Sequence, residues 1–539
     1  MGSLTKRIIV NNIKLPTDAS IQEAFSVSES RLKKAGIKAS DAEYKVYRRS
    51  VDARVRGEIK FVYSVLVTAR FSNLSDATLS MAGASVDKTE MPVPEFGDEK
   101  LQGRPVVVGS GPCGLFCALM LAENGYAPIV IERGGSVSER IAAIEKFKKS
   151  RMLDTDTNIQ FGAGGAGTFS DGKLITRIND GMSAYVLEKF VDFGASDEIL
   201  YSAKPHIGTD VLCGIIDKMV ARIEQLGGEV RFHTTFVNAN FSRQNITEIL
   251  TNNGKIKTGA LVLAVGHSAR DTYETLIDGN LKIEAKNFSV GMRIEHLAES
   301  IDKAMYGKMA GDKNLGHAEY ALSYNTKERG VYTFCMCPGG EVVAATSENG
   351  GVVVNGMSES RRDGRNSNSA VVCSIFREDY GSDPRAAIAF QRKIERAAFV
   401  AGGADYSAPI ITFGDFADGK LSREPSTVLP TYMNGDGVKL ASPYDYLPTI
   451  VCDSIKNAVF NFDKKIHGFA DRDAVLTGAE TRTSAPLRIL RDNDTRLAFG
   501  YGNLYPAGEG AGYAGGITSA ALDGIRTALA IMKKYKSNN

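Results

Sequence analysis

An α/β fold with a parallel sheet, carrying further α+β segments before and within it, is the fold class predicted by this 539-residue sequence. Three observations predict it. An apolar strand, a Gly-rich turn, an apolar helix and a second strand follow one another in RPVVVGSGPCGLFCALMLAENGYAPIVIERG, residues 104–134. A second Gly-rich turn, YPAGEGAGYAGGI at 505–517, leads into the last helix of the chain. Between these stretches, EVRFHTTFVNANF, ITEILTN and GKIKTGALVLAVG carry the short β-rich runs expected of strands.

The first 98 residues read as a separate α+β module of ferredoxin-like type. RIIV (7–10) is strand-like, and Ala19 to Lys34 puts Ile21, Phe25 and Leu32 on one helical side. EYKVYRRSVDAR and EIKFVYSVLVTAR alternate as two further strands. MPVPEFGDEK (91–100), rich in Pro and charge, reads as a linker. Lys45, Arg48, Arg49, Arg54, Arg56 and Lys60 crowd this module. They read as a solvated face; the sharper alternative is a patch for RNA or another acidic partner. Their alternation with Tyr and Val favours the solvated face.

Composition narrows the classes. Lys and Arg total 65 against 63 Asp and Glu, a formal charge of +2, which gives no overall bias toward nucleic acid. Seven cysteines, an odd number on a long chain, fit a reducing compartment better than a disulfide framework. The start MGSLTKRIIVNNIKLP lacks an apolar h-region with a cleavage site. The most apolar stretch, near 104–131, is broken by Gly109, Gly111, Gly114, Glu123, Asn124 and Gly125. A cytoplasmic protein without a membrane span is the expectation.

The turn GSGPCG has the spacing G-x-G-x-x-G between a strand and a helix. Gly109 allows the tight turn, Gly111 lets backbone approach a pyrophosphate, and Gly114 lets helix and strand pack closely. The helix N-terminus, with Pro112 and Cys113, offers N–H groups and a positive dipole end to phosphates. Glu132 closes the second strand about 20 residues past the first Gly, where a carboxylate accepts ribose hydroxyls, and Arg133 follows it. The strand ALVLAVG ends in Ala264 and Gly266, small enough to pass under a dinucleotide; Val237 falls where backbone meets adenine. In the last turn, Gly508 and Glu509 are placed for the ribityl chain. The helix opening at Gly516–Ile517 points at flavin N1 and O2. A nicotinamide-only domain has no use for this last element, so FAD is the expected cofactor. FGAGGAGTFSDGKLITR (161–177) packs five Gly into one loop. It is expected over the dinucleotide through Gly164, Gly165, Gly167 and Thr168, with Ser170, Asp171 and Lys173 at its edge. Asp210 is expected to cap a helix that Gly227–Gly228 stops.

FGAGGAGTFSDGKL, FCMCPGGEVVAATSENGG (334–351), NGMSESRRDGRNSNSA (355–370), ETRTSAPLRI (480–489) and GEGAGYAGGITSAALDGI (508–525) together resemble a family of bacterial FAD-dependent dehydrogenases, usually described as uncharacterised or NAD(FAD)-utilising. The resemblance spans nearly the whole chain and departs at Ala163, where the family favours an acid. It implies an FAD oxidoreductase of the FAD/NAD(P)-binding Rossmann superfamily, without naming a substrate. The expected organisation is an N-terminal module at 1–98, a glutathione-reductase-like FAD-binding domain at 99–280 and 479–539, and an inserted α+β cap at 281–478.

Flavin supplies the redox chemistry, so the chain must position substrate and handle protons. Candidates are His267 after the AVG strand, Arg293 and His296 in GMRIEH, Arg482 with Thr483 in ETRTSAP, and Lys173. The arginines suit a carboxylate or carbonyl substrate; each also has a plain structural alternative. Cys335 and Cys337 would face one side of a regular strand, with Cα atoms roughly 6.5 Å apart. They read as buried thiols, with redox or metal roles as the alternative. Cys113 and Cys117 read as packing. No Cys falls in 134–150, against a disulfide reductase of related fold, and no metal-ligand spacing is present. The expected activity is hydride transfer between flavin N5 and a small organic substrate, with NAD(P)H as a transient co-substrate. The alternative is a flavin-binding protein recruited to RNA by its basic module.

Overall fold

The computed structural model describes residues 5–55, 57–175 and 180–537. The chain forms two compact units, Met1–Met91 with Asn179–His206 and Glu299–Ala318, and Pro92–Ile178 with Ile207–Ala298 and Glu319–Asn539.

The first unit holds a four-stranded antiparallel sheet. Lys38–Asp52, Lys60–Ser72, Lys6–Pro16 and Ala84–Val86 lie side by side in that order. Phe61, Tyr63, Val65, Val67 and Ala69 are buried at alternate positions, the period-2 pattern that gives the strand an inner face. Helix Ile21–Lys34 starts at a Ser20–Glu23 capping box. A second helix, Asp76–Ala82, was not anticipated; Ser75 and Thr78 cap it and Gly83, at φ 64°, ends it. The basic face is partly absorbed within the unit. Arg49 pairs with Glu198 and lies over the rings of Phe61 and Tyr201, 5.0 and 5.4 Å from their centroids. Arg54 pairs with Asp52 at 2.7 Å. Arg56 lies outside the described residues.

The second unit is built on a five-stranded, wholly parallel sheet. Its order is Leu504–Pro506, Ala260–Leu263, Pro105–Val108, Ile129–Ile131, Glu229–Arg231. Pro105–Val108 and Ala260–Leu263 are buried throughout, as strands covered on both faces must be. The three-stranded antiparallel sheet Phe236–Ala239, Glu248–Thr251 and Gly254–Lys257 breaks what the sequence suggested were longer strands. Residues 288–480 supply a seven-stranded mixed sheet centred on Phe288–Leu297 and Asn366–Ile375. Helix Thr209–Gln225 begins at Gly208, not at an Asp210 cap. Asp210 sits inside the first turn and accepts Ser360 N at 2.7 Å and Ser360 Oγ at 2.6 Å. Among the described residues no helix is long and apolar enough to cross a membrane.

Candidate functional site

Close backbone approach creates the site, and glycine permits it. A Cβ on Gly109 (φ +100°) would lie 2.4 Å from Ala264 O, and one on Gly114 would lie 1.9 Å from Gly109 O. The same holds for the last turn. A Cβ on Gly508 (φ +75°) would meet Cys113 Cβ at 2.7 Å, one on Gly510 would meet Gly266 O at 2.5 Å, and one on Gly524 would meet Cys113 O at 2.1 Å. The two Gly-rich turns, roughly 400 residues apart in sequence, are therefore neighbours around the N-terminus of helix Pro112–Glu123. Gly266, Gly515 and Gly516 have no atom within 4 Å of an added Cβ, so these glycines border open space. Gly516 opens helix Ile517–Lys534. Such a cradle of bare backbone and a helix N-terminus fits a diphosphate-linked flavin.

The Gly-rich loop lies on the first turn, as expected. Gly164 N donates to Ser110 O at 3.0 Å, and a Cβ on Gly165 would come 2.9 Å from Gly111 Cα. A Cβ on Gly167 would reach Ile517 Cγ1 at 2.9 Å, and Thr518 Oγ1 donates to Leu174 O at 2.8 Å, so the loop also touches the last helix. Thr168 is buried, its Oγ1 3.4 Å from Ala163 O. Ser170 Oγ donates to Gly167 O at 2.7 Å. Residues 176 and 177 of this stretch lie outside the described residues.

Glu132 does different work from that expected. It accepts Ser110 N (2.9 Å) and Ser110 Oγ (2.8 Å) on one oxygen, and Gly134 N (3.1 Å) and Gly162 N (3.0 Å) on the other. A carboxylate offers about four lone-pair sites, and all are in use before any ribose hydroxyl arrives. Glu132 ties the loop to the turn. Arg140, which nothing in the sequence marked, completes this. It is fully buried and donates to the carbonyls of Asn158, Ile159, Ala163 and Gly165, and its guanidinium stands 4.6 Å from the Phe169 ring centroid. Burial pulls its pKa down to about 10. Ala163, where an acid was the family expectation, is fully buried beneath this guanidinium.

Arg133 pairs with Asp271 at 2.9 Å and stacks over Phe161. Val237 is exposed on strand Phe236–Ala239, which follows Thr234, whose N–H bonds Glu132 O at 2.8 Å. Burial pushes Glu509 up to about 7 against the pull of the Lys286 charge. The Tyr273 hydroxyl lies 3.0 Å from Gly266 O and 2.8 Å from Gly510 O, linking the end of strand Ala260–Leu263 to the last turn.

A cavity of about 350 Å³ opens beside Arg133, walled by Ser268, Arg270, Ser347, Arg392 and Glu395. Behind it, Glu395 is held by Arg270 at 2.7 Å and Arg482 at 3.2 Å, and these cations keep its carboxyl well below the usual range despite burial. Arg482 Nη1 also reaches Ser347 Oγ at 2.5 Å. His267, bonded to Ser268 Oγ at 2.9 Å, is pushed down to about 3 by burial and by Arg482 and Arg270, so it stays neutral near pH 7. The cluster of Arg270, Gln391 and Glu395 was not visible in sequence.

Four other candidates need correction. Arg293 is fully buried and all five of its N–H groups are spent. Nε and Nη2 serve Glu480 (2.8 and 3.2 Å), Nη1 serves Cys335 O (2.8 Å) and Asn368 Oδ1 (2.9 Å), and Nη2 serves Asn355 Oδ1 (2.7 Å). It braces the sheet and has no donor left for a substrate. His296 is a core residue: Nε2 is 2.8 Å from Phe469 O, the ring packs 4.8 Å from the Phe469 ring, and burial lowers its pKa. Thr483 is bonded to Ser289 O at 2.9 Å. Lys173 is tied to Met336 O and stands 3.8 Å from Asp171 and 3.9 Å from Glu319. Asp171 itself is clasped by Arg362. Cys113 and Cys117 are buried, as packing residues should be. Among the described residues no group of three or more potential metal ligands forms.

Against known proteins, residues 287–483 match the family model described as "FAD-dependent protein, C-terminal domain-like", and residues 7–68 match a domain of unknown function (DUF8436). An uncharacterized protein of Clostridium beijerinckii (strain ATCC 51743 / NCIMB 8052) is 43% identical over 534 residues, covering 98% of this chain and 99% of its own. The chain belongs to that protein's family. Residues 287–483 carry the FAD-dependent domain match, which supports FAD as the cofactor. Solved structures are far more distant. L-amino acid deaminase from Proteus vulgaris is 12% identical, with 84% of this chain and 98% of that chain covered at a TM-score of 0.32. Glycine oxidase from Bacillus cereus ATCC 14579 is 9% identical, with 80% and 96% covered at 0.34. Likenesses of that order carry no argument about this family's chemistry.

Proposed function

We propose that this protein is an FAD-dependent dehydrogenase or reductase that passes a hydride between flavin N5 and a small organic substrate, with NAD(P)H as a transient partner. The supporting observation is the meeting of the two Gly-rich turns, with Gly508 and Gly524 seated against Cys113. Bound there, flavin would supply the two-electron chemistry. The chain would supply the seat. The opening of helix Pro112–Glu123 and the Gly111–Gly165 contact suit the diphosphate, and the opening of helix Ile517–Lys534 suits the pyrimidine edge where charge develops on reduction. Glu509, with its raised pKa, can hold or release a proton near neutral pH, beside Lys286 and Tyr273. The arrangement of the parallel sheet supports a dinucleotide-binding domain of Rossmann type.

The test is purification followed by visible spectroscopy and anaerobic titration. A yellow protein whose flavin is bleached by NADH, NADPH or one compound of a metabolite panel is the expected result. A colourless protein that takes up no added FAD sinks the proposal.

A further inference from the structure

The strand Gly330–Cys337 does not run straight. Phe334 opposes Ala370 and Cys337 opposes Asn368, so three steps on one strand meet two on the other. The extra residue is a β-bulge. Cys335 carries it at φ +45°, a left-handed conformation that non-Gly residues adopt at a cost and that concentrates at functional positions. Left-handed backbone at Cys335 departs from an extended two-residue step, which spans roughly 6.6 Å. The Cys337 Sγ lies 3.3 Å from Cys335 O. Their surroundings are unequal: Cys337 is fully buried and Cys335 is partly exposed. Arg293 Nη1 stands 3.9 Å from Cys337 Sγ, and Lys173 is tied to Met336 O between them.

We infer that Cys335 and Cys337 form a dithiol–disulfide couple that reacts with low-molecular-weight disulfides, Cys335 attacking and Cys337 resolving. This goes beyond the flavin reading and does not depend on it. The Cys335 thiolate attacks one sulfur of R–S–S–R, giving Cys335–S–S–R and releasing RS⁻. Cys337 then gives up its proton and attacks Cys335 Sγ, closing the Cys335–Cys337 disulfide and releasing the second RS⁻, which takes that proton. The pair loses two electrons and the small disulfide gains them. Cys335 attacks because it is the member of the pair that is not fully buried. The charged and titratable groups around it are Cys337, Arg293, Lys173 and Glu480. The neighbouring Cys337 thiol, Arg293 and Lys173 together hold Cys335 below the usual thiol range against burial. Glu480 opposes them weakly, being itself paired to Arg293 at 2.8 Å. Arg293, with every N–H committed, is a positioning residue here. The couple is also placed to communicate with the flavin seat. Lys173, which touches Met336, is next to Leu174, which bonds Thr518 in the first turn of the last helix.

The full-length protein is equilibrated in buffers of reduced and oxidised glutathione, quenched with acid, alkylated and analysed by peptide mass spectrometry, with and without added FAD. In the wild type the peptide holding both cysteines should lose both alkylatable thiols and carry no glutathione. Cys337→Ser should retain glutathione on Cys335, and Cys335→Ser should trap none. At neutral pH, iodoacetamide should modify Cys335 about tenfold or more faster than Cys213, whose pKa burial raises. The inference fails if both thiols stay alkylatable in the folded wild type at the most oxidising buffer, or if Cys335 and Cys213 react alike. The wild-type titration decides even should a variant not fold. A colourless protein that still exchanges leaves the couple standing, whereas a yellow protein that does not exchange removes it.

Discussion

Arg140 shows how a single residue can build the site without touching a ligand. Its five N–H donors end on backbone carbonyls of 158–165, and among the described residues no carboxylate is ion-paired with it. Arg140→Met would leave the buried Asn158 and Ile159 carbonyls without the donors they have here, each costing about 1–3 kcal/mol. A loss of about 3 kcal/mol or more in the urea unfolding free energy is expected, with flavin lost on gel filtration. Unchanged stability would show that the loop is held by Glu132 alone. Glu395 is the complementary case, an anion between two buried cations. Glu395→Gln should cost about 3–5 kcal/mol at neutral pH, because Arg482 loses its carboxylate partner and Arg270 keeps only Glu348. The sign of the pH effect follows from the depressed carboxyl. Stabilisation by the wild-type pair is complete above the unfolded glutamate pKa of about 4.3 and is lost as pH falls toward the folded value. The stability gap between wild type and variant should therefore shrink in acid; a gap that stays constant down to pH 3 would count against this assignment.

Elements meet here through missing side chains. Helices Pro112–Glu123 and Ile517–Lys534 pack where Gly524 faces the Cys113 carbonyl, and a Cβ would lie 2.1 Å from that oxygen. Gly524→Ala should push the helices apart at a cost of about 1–3 kcal/mol and weaken flavin retention. Gly214, inside helix Thr209–Gln225 with nothing within 4 Å of an added Cβ, is the control. There, Gly→Ala should stabilise by up to about 1 kcal/mol, since only helix propensity changes. Equal effects at both sites, by thermal or urea melts, would refute the packing argument. These contacts also explain what could be seen in advance. The Gly109–Gly114 and Gly508–Gly516 turns were legible because a backbone conformation demands Gly locally. The bulge at Cys335 was not, since it depends on the register of Asn366–Ile375, which the 330–337 segment does not encode. Arg270 with Glu395, and Arg293 with Glu480, join positions 125 and 187 residues apart, and no periodicity announces such pairs. Glu132 was recognised by its spacing yet misjudged in role, because its partners Gly134 and Gly162 belong to a loop whose path no local pattern sets.

At the scale of the whole molecule, the residues of the proposed flavin seat all belong to one of the two compact units, from the Gly109 turn to the last helix. A ligand that binds only the folded form stabilises by RT ln(1 + [L]/Kd), about 2.7 kcal/mol at a hundredfold excess over Kd. For a chain of two units this free energy need not be shared, because unfolding is then not a single two-state event. Added FAD should therefore raise hydrogen-exchange protection in the segments that meet at the seat: 109–114, 162–167, 264–266 and 508–517. The four-stranded sheet of the first unit, Lys6–Pro16 through Ala84–Val86, should exchange at the same rate with and without FAD. Protection that rises equally across both units would mean that they unfold together. Protection that rises only in the first would place the cofactor elsewhere and undo the argument from the two turns.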